Sequence, residues 1–258
     1  MTIFQAIILG LVQGITEFLP ISSSGHLVIF PELFGWPLQD VAFDAVIHLA
    51  TLVVILVYFR KDILDVVRHH RRLVWMILLA TIPVGAVGLL LERIEGVRSL
   101  PVVFISLAFW GIVLMIADTY ASRRPPLTVF TPQLSGWKVL LVGVAQAIAL
   151  IPGTSRSGIA ITAGLFAGLD KKLATRLAFL VGVPAIALAG LAKAGDIVSG
   201  SVEIDLLPIA LGFVAAFASG YLAISLLLKL IEKTGFYWFG VYRILLATVL
   251  FLIWIQGW

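Results

Sequence analysis

The chain has 258 residues, 61% of them hydrophobic and only 12% charged, and its mean hydropathy is +1.11. Soluble domains carry about 25% charged residues, so this composition excludes an ordinary soluble protein and predicts an all-α polytopic membrane protein. The net charge of +4 does not predict a nucleic-acid partner, because the basic residues lie in short segments beside apolar runs, where they orient a membrane protein. No hydrophilic stretch is long enough for a soluble domain, which predicts a single membrane domain over residues 1–258.

The first segment predicts a re-entrant hairpin rather than two membrane crossings. Residues 2–36 are mostly apolar but are interrupted at 20–25. One crossing needs ~20 helical residues, so this segment is too short for two crossings and a turn, and a hairpin that enters and leaves on one side fits better. Three apolar runs of crossing length follow, at about 41–59, 74–92 and 102–120.

The second half of the chain repeats the first at an offset of 133 residues. Gly10–His26 aligns with Gly143–Ile159 without a gap and with six identities in 17 positions, which predicts an internal repeat. The offset predicts a second hairpin at 139–169 and further apolar runs that begin near positions 174, 207 and 235. The repeat halves are therefore about 1–125 and 134–258, each with one re-entrant hairpin and three transmembrane helices.

Lysine and arginine predict the orientation, because thirteen of the 18 lie on one face, which is therefore cytoplasmic. They fall in the segments 60–72, 123–138, 171–176 and 229–233. Arg93, Arg98 and Lys193 are expected on the outer side. Three crossings are an odd number, so the two halves form an inverted-topology repeat, with the first hairpin entering from outside and the second from the cytoplasm. Inverted repeats with broken helices place a site near the midplane, where the hairpin tips meet.

The first hairpin contains a cluster of polar residues. Gln13 and Glu17 stand four apart on one helical face and lead into a turn that holds three consecutive serines and His26. An intramembrane carboxylate indicates function by default, although Glu17 could instead pair structurally with a buried arginine. The serines could cap the following helix. With Glu17 and three hydroxyl groups so close in sequence, we expect His26 to act as a general acid or a nucleophile rather than as a structural histidine.

The second hairpin contains Pro152–Gly158, which reads as a loop leading into a helix N-terminus. It combines backbone N–H groups, hydroxyl groups and the permanently charged Arg156, a combination that predicts phosphate binding. In the first span, Asp44 and His48 share a helical face and are either supporting residues of the site or a structural hydrogen-bonded pair.

Three other polar residues within or beside the apolar segments are expected to lie outside the site. His69 and His70 lie in a charge run that predicts a solvated cytoplasmic loop. Arg243 is expected to snorkel or to pair structurally rather than to touch a substrate.

The segments Gln13–His26 and Pro152–Gly158 resemble the two signature motifs, (E/Q)xxxE and PGxSRSxxT, of the undecaprenyl-diphosphate phosphatases of the bacitracin-resistance type. The resemblance implies hydrolysis of undecaprenyl diphosphate on the outer side of the plasma membrane, with a divalent metal, to recycle the lipid carrier of cell-wall synthesis. The residues that match by position are Gln13, Glu17, Ser23, His26, Ser155, Arg156 and Ser157. The final motif threonine falls at Ala160, which leaves a third hydroxyl contact in doubt, and Gln13 in place of glutamate weakens one metal ligand.

Chemistry and resemblance imply the same mechanism. Arg156, the adjacent helix N-terminus and a divalent ion, Mg²⁺ or Ca²⁺, supply positive charge to the diphosphate. Ser23 is assigned as the nucleophile, with His26 and Glu17 as base and orienting group, although His26 could attack directly. Glu17 could equally bind the metal, with Gln13 as a second ligand. The phosphate-binding hydroxyl groups are expected on Ser22, Ser24, Thr154, Ser155 and Ser157.

The expected partners are a polyprenyl diphosphate and the membrane lipids, and a homodimer is left open. The main alternative function is a polyprenyl-phosphate flippase or secondary transporter, since inverted repeats are typical of transporters and the anion site would be shared. A structural or pore-forming protein comes third, because it gives no reason for a carboxylate, a histidine and an arginine to lie together.

Overall fold

The computed structural model describes residues 1–91, 99–123, 134–198 and 205–256, with the side chains of 41, 89–91 and 191–198 excepted. Eleven α-helices make up the regular structure of these ranges. They are α1 (Ile3–Phe18), α2 (Ser23–Phe34), α3 (Val41–Tyr58), α4 (Arg60–His69), α5 (Arg71–Leu91), α6 (Leu100–Ser122), α7 (Gly136–Ile148), α8 (Arg156–Phe166), α9 (Lys171–Val198), α10 (Leu206–Thr234) and α11 (Tyr237–Ile255). The loops predicted to carry Arg93 and Arg98 lie outside the described residues, as does the side chain of Lys193.

The prediction of an all-α polytopic membrane protein is confirmed. Five helices of the described ranges are long and apolar enough to cross a bilayer, and α3 with α4 raises the number to six if that bent pair counts as one span. Large apolar side chains such as Ile105, Val214 and Leu222 are exposed along these helices. A soluble protein would bury such surfaces, whereas the hydrocarbon of a bilayer accommodates them.

The prediction of a loop around His69 is wrong, because this segment is helical. Residues 60–69 form helix α4, which is bent by 70° from α3, and only His70 separates α4 from α5. Val66 is buried while the charged residues around it face outward. A short amphipathic helix allows both, because it places the apolar side chain and the charged side chains on opposite faces. His69 and His70 contact Asp65 at 3.1 and 3.5 Å.

The two short helical pairs have the same local geometry. Helix α2 begins at Ser23 and α8 begins at Arg156, 133 residues later. Their N-cap residues, Ser22 and Ser155, have φ angles of 75° and 69°, and no other non-glycine residue of the described ranges has a positive φ. Each N-cap Oγ accepts a hydrogen bond from the backbone N–H three residues on, at 3.4 and 3.1 Å. Helices α1 and α7, with 16 and 13 residues, are too short to cross a bilayer.

Small residues let each short pair pack against the other half of the chain. A side chain at Gly10 or Gly14 of α1 would overlap the backbone of α10, and one at Gly143 of α7 would overlap Ala80 of α5. Close approach of this kind stabilises helix pairs in lipid, where no hydrophobic effect drives association. The turn of one pair reaches the turn of the other, since Ser157 Oγ donates to the Leu19 carbonyl at 3.2 Å.

Candidate functional site

The carboxylate of Glu17 lies at the centre of the candidate site. It is 8% exposed, and its Oε1 pairs with Nη2 of Arg156 from the other half of the chain. Its Oε2 accepts hydrogen bonds from Ser23 Oγ at 2.6 Å and from Gln13 Nε2 at 3.1 Å. Residues of both sequence motifs therefore meet at one carboxylate.

Helix ends position these side chains. Gln13 and Glu17 lie one turn apart in the last part of α1, on its buried face. Ser23 and Arg156 are the first residues of α2 and α8, so the N-termini of both helices lie beside the Glu17 carboxylate. A helix N-terminus carries partial positive charge and free N–H groups, which favours anions there. Arg156 retains guanidinium N–H groups beyond the one bound to Glu17, and its side chain is 26% exposed.

The hydroxyl groups predicted to bind phosphate lie in different settings. Ser22 and Ser155 are buried and act as N-caps, a role that the sequence predicts as an alternative for Ser22. Their hydroxyl groups also contact those of Ser24 and Ser157, at 3.4 and 3.3 Å. Ser24 is exposed. Thr154 is fully buried, and its Oγ1 has no hydrogen-bond partner within the described part of the chain.

His26 lies beside this cluster but does not bond to it. It stands one helical turn after Ser23 on α2, yet its Nδ1 contacts the Ser22 carbonyl and its Nε2 contacts the Tyr242 hydroxyl, both at 2.7 Å. The hydroxyl of Ser23 instead donates to Glu17. In this arrangement the group placed to take the Ser23 proton is therefore Glu17.

The predicted supporting pair, Asp44 and His48, reaches the site through the histidine. His48 Nε2 lies 3.9 Å from Glu17 Oε2. Its Nδ1 contacts the backbone carbonyl of Asp44 at 2.7 Å, which fixes the direction of the ring. Thr51 donates its hydroxyl to the His48 carbonyl at 2.8 Å.

Sequence reasoning missed the part that α11 plays. Arg243 is fully buried and donates from Nη2 to the carbonyls of Gly153 and Thr154, at 2.9 and 2.7 Å. Of the two expectations for Arg243, snorkelling is wrong and structural pairing is confirmed, since the side chain braces the turn that precedes Arg156. The neighbouring Tyr242 contacts His26, so adjacent residues of α11 reach both turns. Only the arginine left a sequence signal, as a charge within an apolar run.

The site offers oxygen ligands of the kind that hard divalent cations prefer. Within the described residues, no cluster of three His, Cys, Asp or Glu side chains forms a complete metal site. However, Gln13 Oε1 is buried and has no hydrogen-bond partner among the described residues, and it belongs to the side chain that also touches Glu17. An amide oxygen beside a carboxylate fits Mg²⁺ or Ca²⁺ with a diphosphate as further ligand.

Comparison with known proteins adds an independent finding. Residues 6–249 match the family model of bacitracin resistance protein BacA. The chain is 42% identical to undecaprenyl-diphosphatase 2 of Stutzerimonas stutzeri (strain A1501), over 98% of each chain. It is 41% identical to the undecaprenyl-diphosphatase of Marinobacter nauticus, over 98% of this chain and 99% of that one. It is 42% identical to the undecaprenyl-diphosphatase of Caldicellulosiruptor bescii, over 97% of each.

Proposed function

Because the chain belongs to the bacitracin resistance protein BacA family, we propose that it hydrolyses undecaprenyl diphosphate to undecaprenyl phosphate and inorganic phosphate. It is an integral membrane phosphatase that recycles the lipid carrier of cell-wall synthesis and confers bacitracin resistance. The observation that carries this function is the joining of Glu17, Ser23 and Arg156 at one point within an apolar helical protein. Release of phosphate by the purified protein is the test.

The proposed topology is an inverted repeat in the plasma membrane, with the site open to the outer side. Helix starts that differ by 133 residues support two equivalent halves. The three spans of the first half, formed by α3 with α4, α5 and α6, are an odd number, so the second half begins on the opposite side. The basic segments after α3, α6 and the second short pair then share the cytoplasmic face.

Cysteine labelling tests this topology. The natural chain has no cysteine, so single cysteines at Asp40 and at Arg123, both exposed, report without background. A membrane-impermeant maleimide should label Asp40→Cys in intact cells, and Arg123→Cys only after the membrane is opened. Arg68→Cys, in α4, serves as the control and should behave like Arg123→Cys. Labelling of Asp40→Cys and Arg123→Cys from the same side would refute the inverted repeat.

In the proposed mechanism Arg156 exchanges partners when substrate binds. Its guanidinium turns its fork toward two non-bridging oxygens of the diphosphate, while the N-terminus of α8 adds its own positive potential. This binding places the terminal phosphorus next to Ser23. The positive charge of Arg156 also neutralises the negative charge that develops on the equatorial oxygens as the bond to the leaving group breaks.

Ser23 is the proposed nucleophile. Its Oγ attacks the terminal phosphorus as its proton passes to Glu17 Oε2, which already accepts that hydrogen bond at 2.6 Å. The bond from phosphorus to the bridging oxygen breaks, and undecaprenyl phosphate leaves. A water molecule then attacks the phosphorus of the phosphoserine as its proton passes to His26, the acid–base group. The bond from phosphorus to Ser23 Oγ breaks, Glu17 returns its proton to that oxygen, and inorganic phosphate is released.

A divalent ion, Mg²⁺ or Ca²⁺, is the proposed cofactor, and Glu17 and Gln13 are the residues that would hold it. Gln13 Oε1, which has no hydrogen-bond partner in the described ranges, supports this assignment. When bound, such an ion supplies Lewis-acid stabilisation of phosphoryl oxygens.

Removal of divalent ions tests the cofactor. We expect exhaustive chelation to lower phosphate release by about a hundredfold or more, since a Lewis acid is worth several kcal/mol in phosphoryl transfer. Added Mg²⁺ or Ca²⁺ should restore the rate, and Gln13→Ala should require more of the ion for half-maximal activity. A chelated enzyme that keeps its full rate would remove the ion from the mechanism.

A further inference from the structure

The two ring nitrogens of His26 have different partners. Nδ1 faces the carbonyl oxygen of Ser22 at 2.7 Å. A carbonyl can only accept, so Nδ1 carries a proton. In the neutral ring, Nε2 then presents a lone pair, and the Tyr242 hydroxyl at 2.7 Å donates to it. The nitrogen that can do acid–base chemistry is therefore the one that Tyr242 contacts.

Tyr242 and His26 both line one groove on the surface of the molecule. The groove has a volume of about 570 Å³, and its walls come from α1, α2, α10 and α11. Most of the lining is apolar, including Ile15, Leu230 and Trp238, and these side chains are exposed. His26, at 5% exposed, is nearly inaccessible, whereas Tyr242 is 41% exposed. Access to Nε2 from the groove thus leads past the tyrosine hydroxyl.

The two rings also hold each other in place. They lie nearly parallel, with an interplanar angle of 5° and centroids 5.9 Å apart. Tyr242 precedes Arg243, whose bonds to Gly153 and Thr154 hold this turn of α11 against the second hairpin. The position of the hydroxyl is therefore set by the same helix that braces the turn before Arg156.

We propose that Tyr242 is a positioning residue that acts through His26 in the hydrolytic reaction. Its hydroxyl group relays the proton that His26 Nε2 takes up or gives back. When the water that attacks the phosphoserine passes a proton to the Tyr242 oxygen, the hydroxyl proton moves to Nε2, which yields an imidazolium and a neutral tyrosine. The reverse transfer returns the proton. The inference rests on the proposed phosphatase function. It gives a role in the reaction to Tyr242 of α11, a residue that lies in neither sequence motif.

A double-mutant cycle tests this role. Tyr242→Phe keeps the ring in the groove but removes the hydroxyl, and we expect it to lower kcat to within about threefold of His26→Ala, with KM within about twofold of the wild type. In the His26→Ala background, Tyr242→Phe should cause no further loss, because the relay has no acceptor left. Tyr237→Phe, on the same helix but away from His26, is the matched control and should keep the wild-type rate.

The alternatives give different results. A hydroxyl that acts independently of His26 would make the effects of the two substitutions multiply. A tyrosine that only packs the groove, or a hydroxyl that substrate merely displaces, would leave Tyr242→Phe fully active; each of these results overturns the proposal. A second readout does not need activity: the ¹⁵N resonance of His26 Nε2, assigned as the signal lost in His26→Ala, should shift in Tyr242→Phe and not in Tyr237→Phe. An unchanged resonance contradicts the hydrogen bond, whereas a wild-type protein that releases no phosphate contradicts the proposed function.

Discussion

Replacement of Arg156 by lysine is expected to lower kcat/KM by about a hundredfold or more. The guanidinium fork can hold two oxygens of a phosphate in a single plane, whereas an ammonium is a compact point charge on a flexible stem. Loss of one oriented donor to a developing oxyanion typically costs about 10²- to 10³-fold in rate. The measurement is phosphate release by purified protein over a range of substrate concentrations.

The matched control is Arg176→Lys. Arg176 pairs with Asp62 at 3.5 Å and is half-buried, but it lies at the start of α9, away from both motifs. Partly exposed ion pairs of this kind contribute little, so this variant should keep its activity within about twofold. Near-normal turnover of Arg156→Lys would show that charge alone suffices, and the role of the fork would have to be abandoned.

The second large effect is expected at α2. Ser23→Ala and His26→Ala should each reduce the rate by about a hundredfold or more while the substrate still binds, since a positioned acid or base contributes ~10²- to 10⁴-fold and a lost nucleophile costs no less. Thr119→Ala is the control, because Thr119 is exposed on α6 and its hydroxyl donates to the Met115 carbonyl of its own helix. Phosphate release and substrate binding are measured on the same preparations.

The activities of these variants distinguish the possible roles of Ser23 and His26. If His26→Ala is inactive while Ser23→Ala keeps its rate, the histidine is the nucleophile. If both keep the full rate, the phosphatase function stands and the roles given to both residues are wrong. Loss of binding rather than turnover in Ser23→Ala would place its hydroxyl in ground-state recognition.

Much of the architecture follows from the sequence because lipid imposes strong constraints. The run 102–120 falls within α6, and the predicted start at 207 lies one residue from the start of α10. The offset of 133 residues locates α8 from α2 because both begin at the same serine cap. Helix α4 was missed because many of its residues are charged, and one buried apolar residue, Val66, gives little periodic signal for a helix.

The composition of the site could be predicted, but not its pairings. Glu17 and Arg156 are visible as charges that an apolar chain carries at a cost, so each signals function by itself. The bond from Ser23 to Glu17, rather than to His26, depends on how the chain turns after α1, and local spacing does not encode it. Tyr242 could not be identified from the sequence, because a tyrosine in an apolar helix is common. Its contact with the His26 imidazole is visible only in the folded structure.

Phosphate release by the purified protein in detergent, with no membrane gradient, distinguishes a phosphatase from a transporter. We expect inorganic phosphate to appear from a polyprenyl diphosphate, in a reaction that depends on Glu17, Ser23 and Arg156. A flippase or transporter that uses the same anion site would bind the lipid and release no phosphate. That result, obtained with folded protein and with divalent ions present, would contradict the phosphatase function.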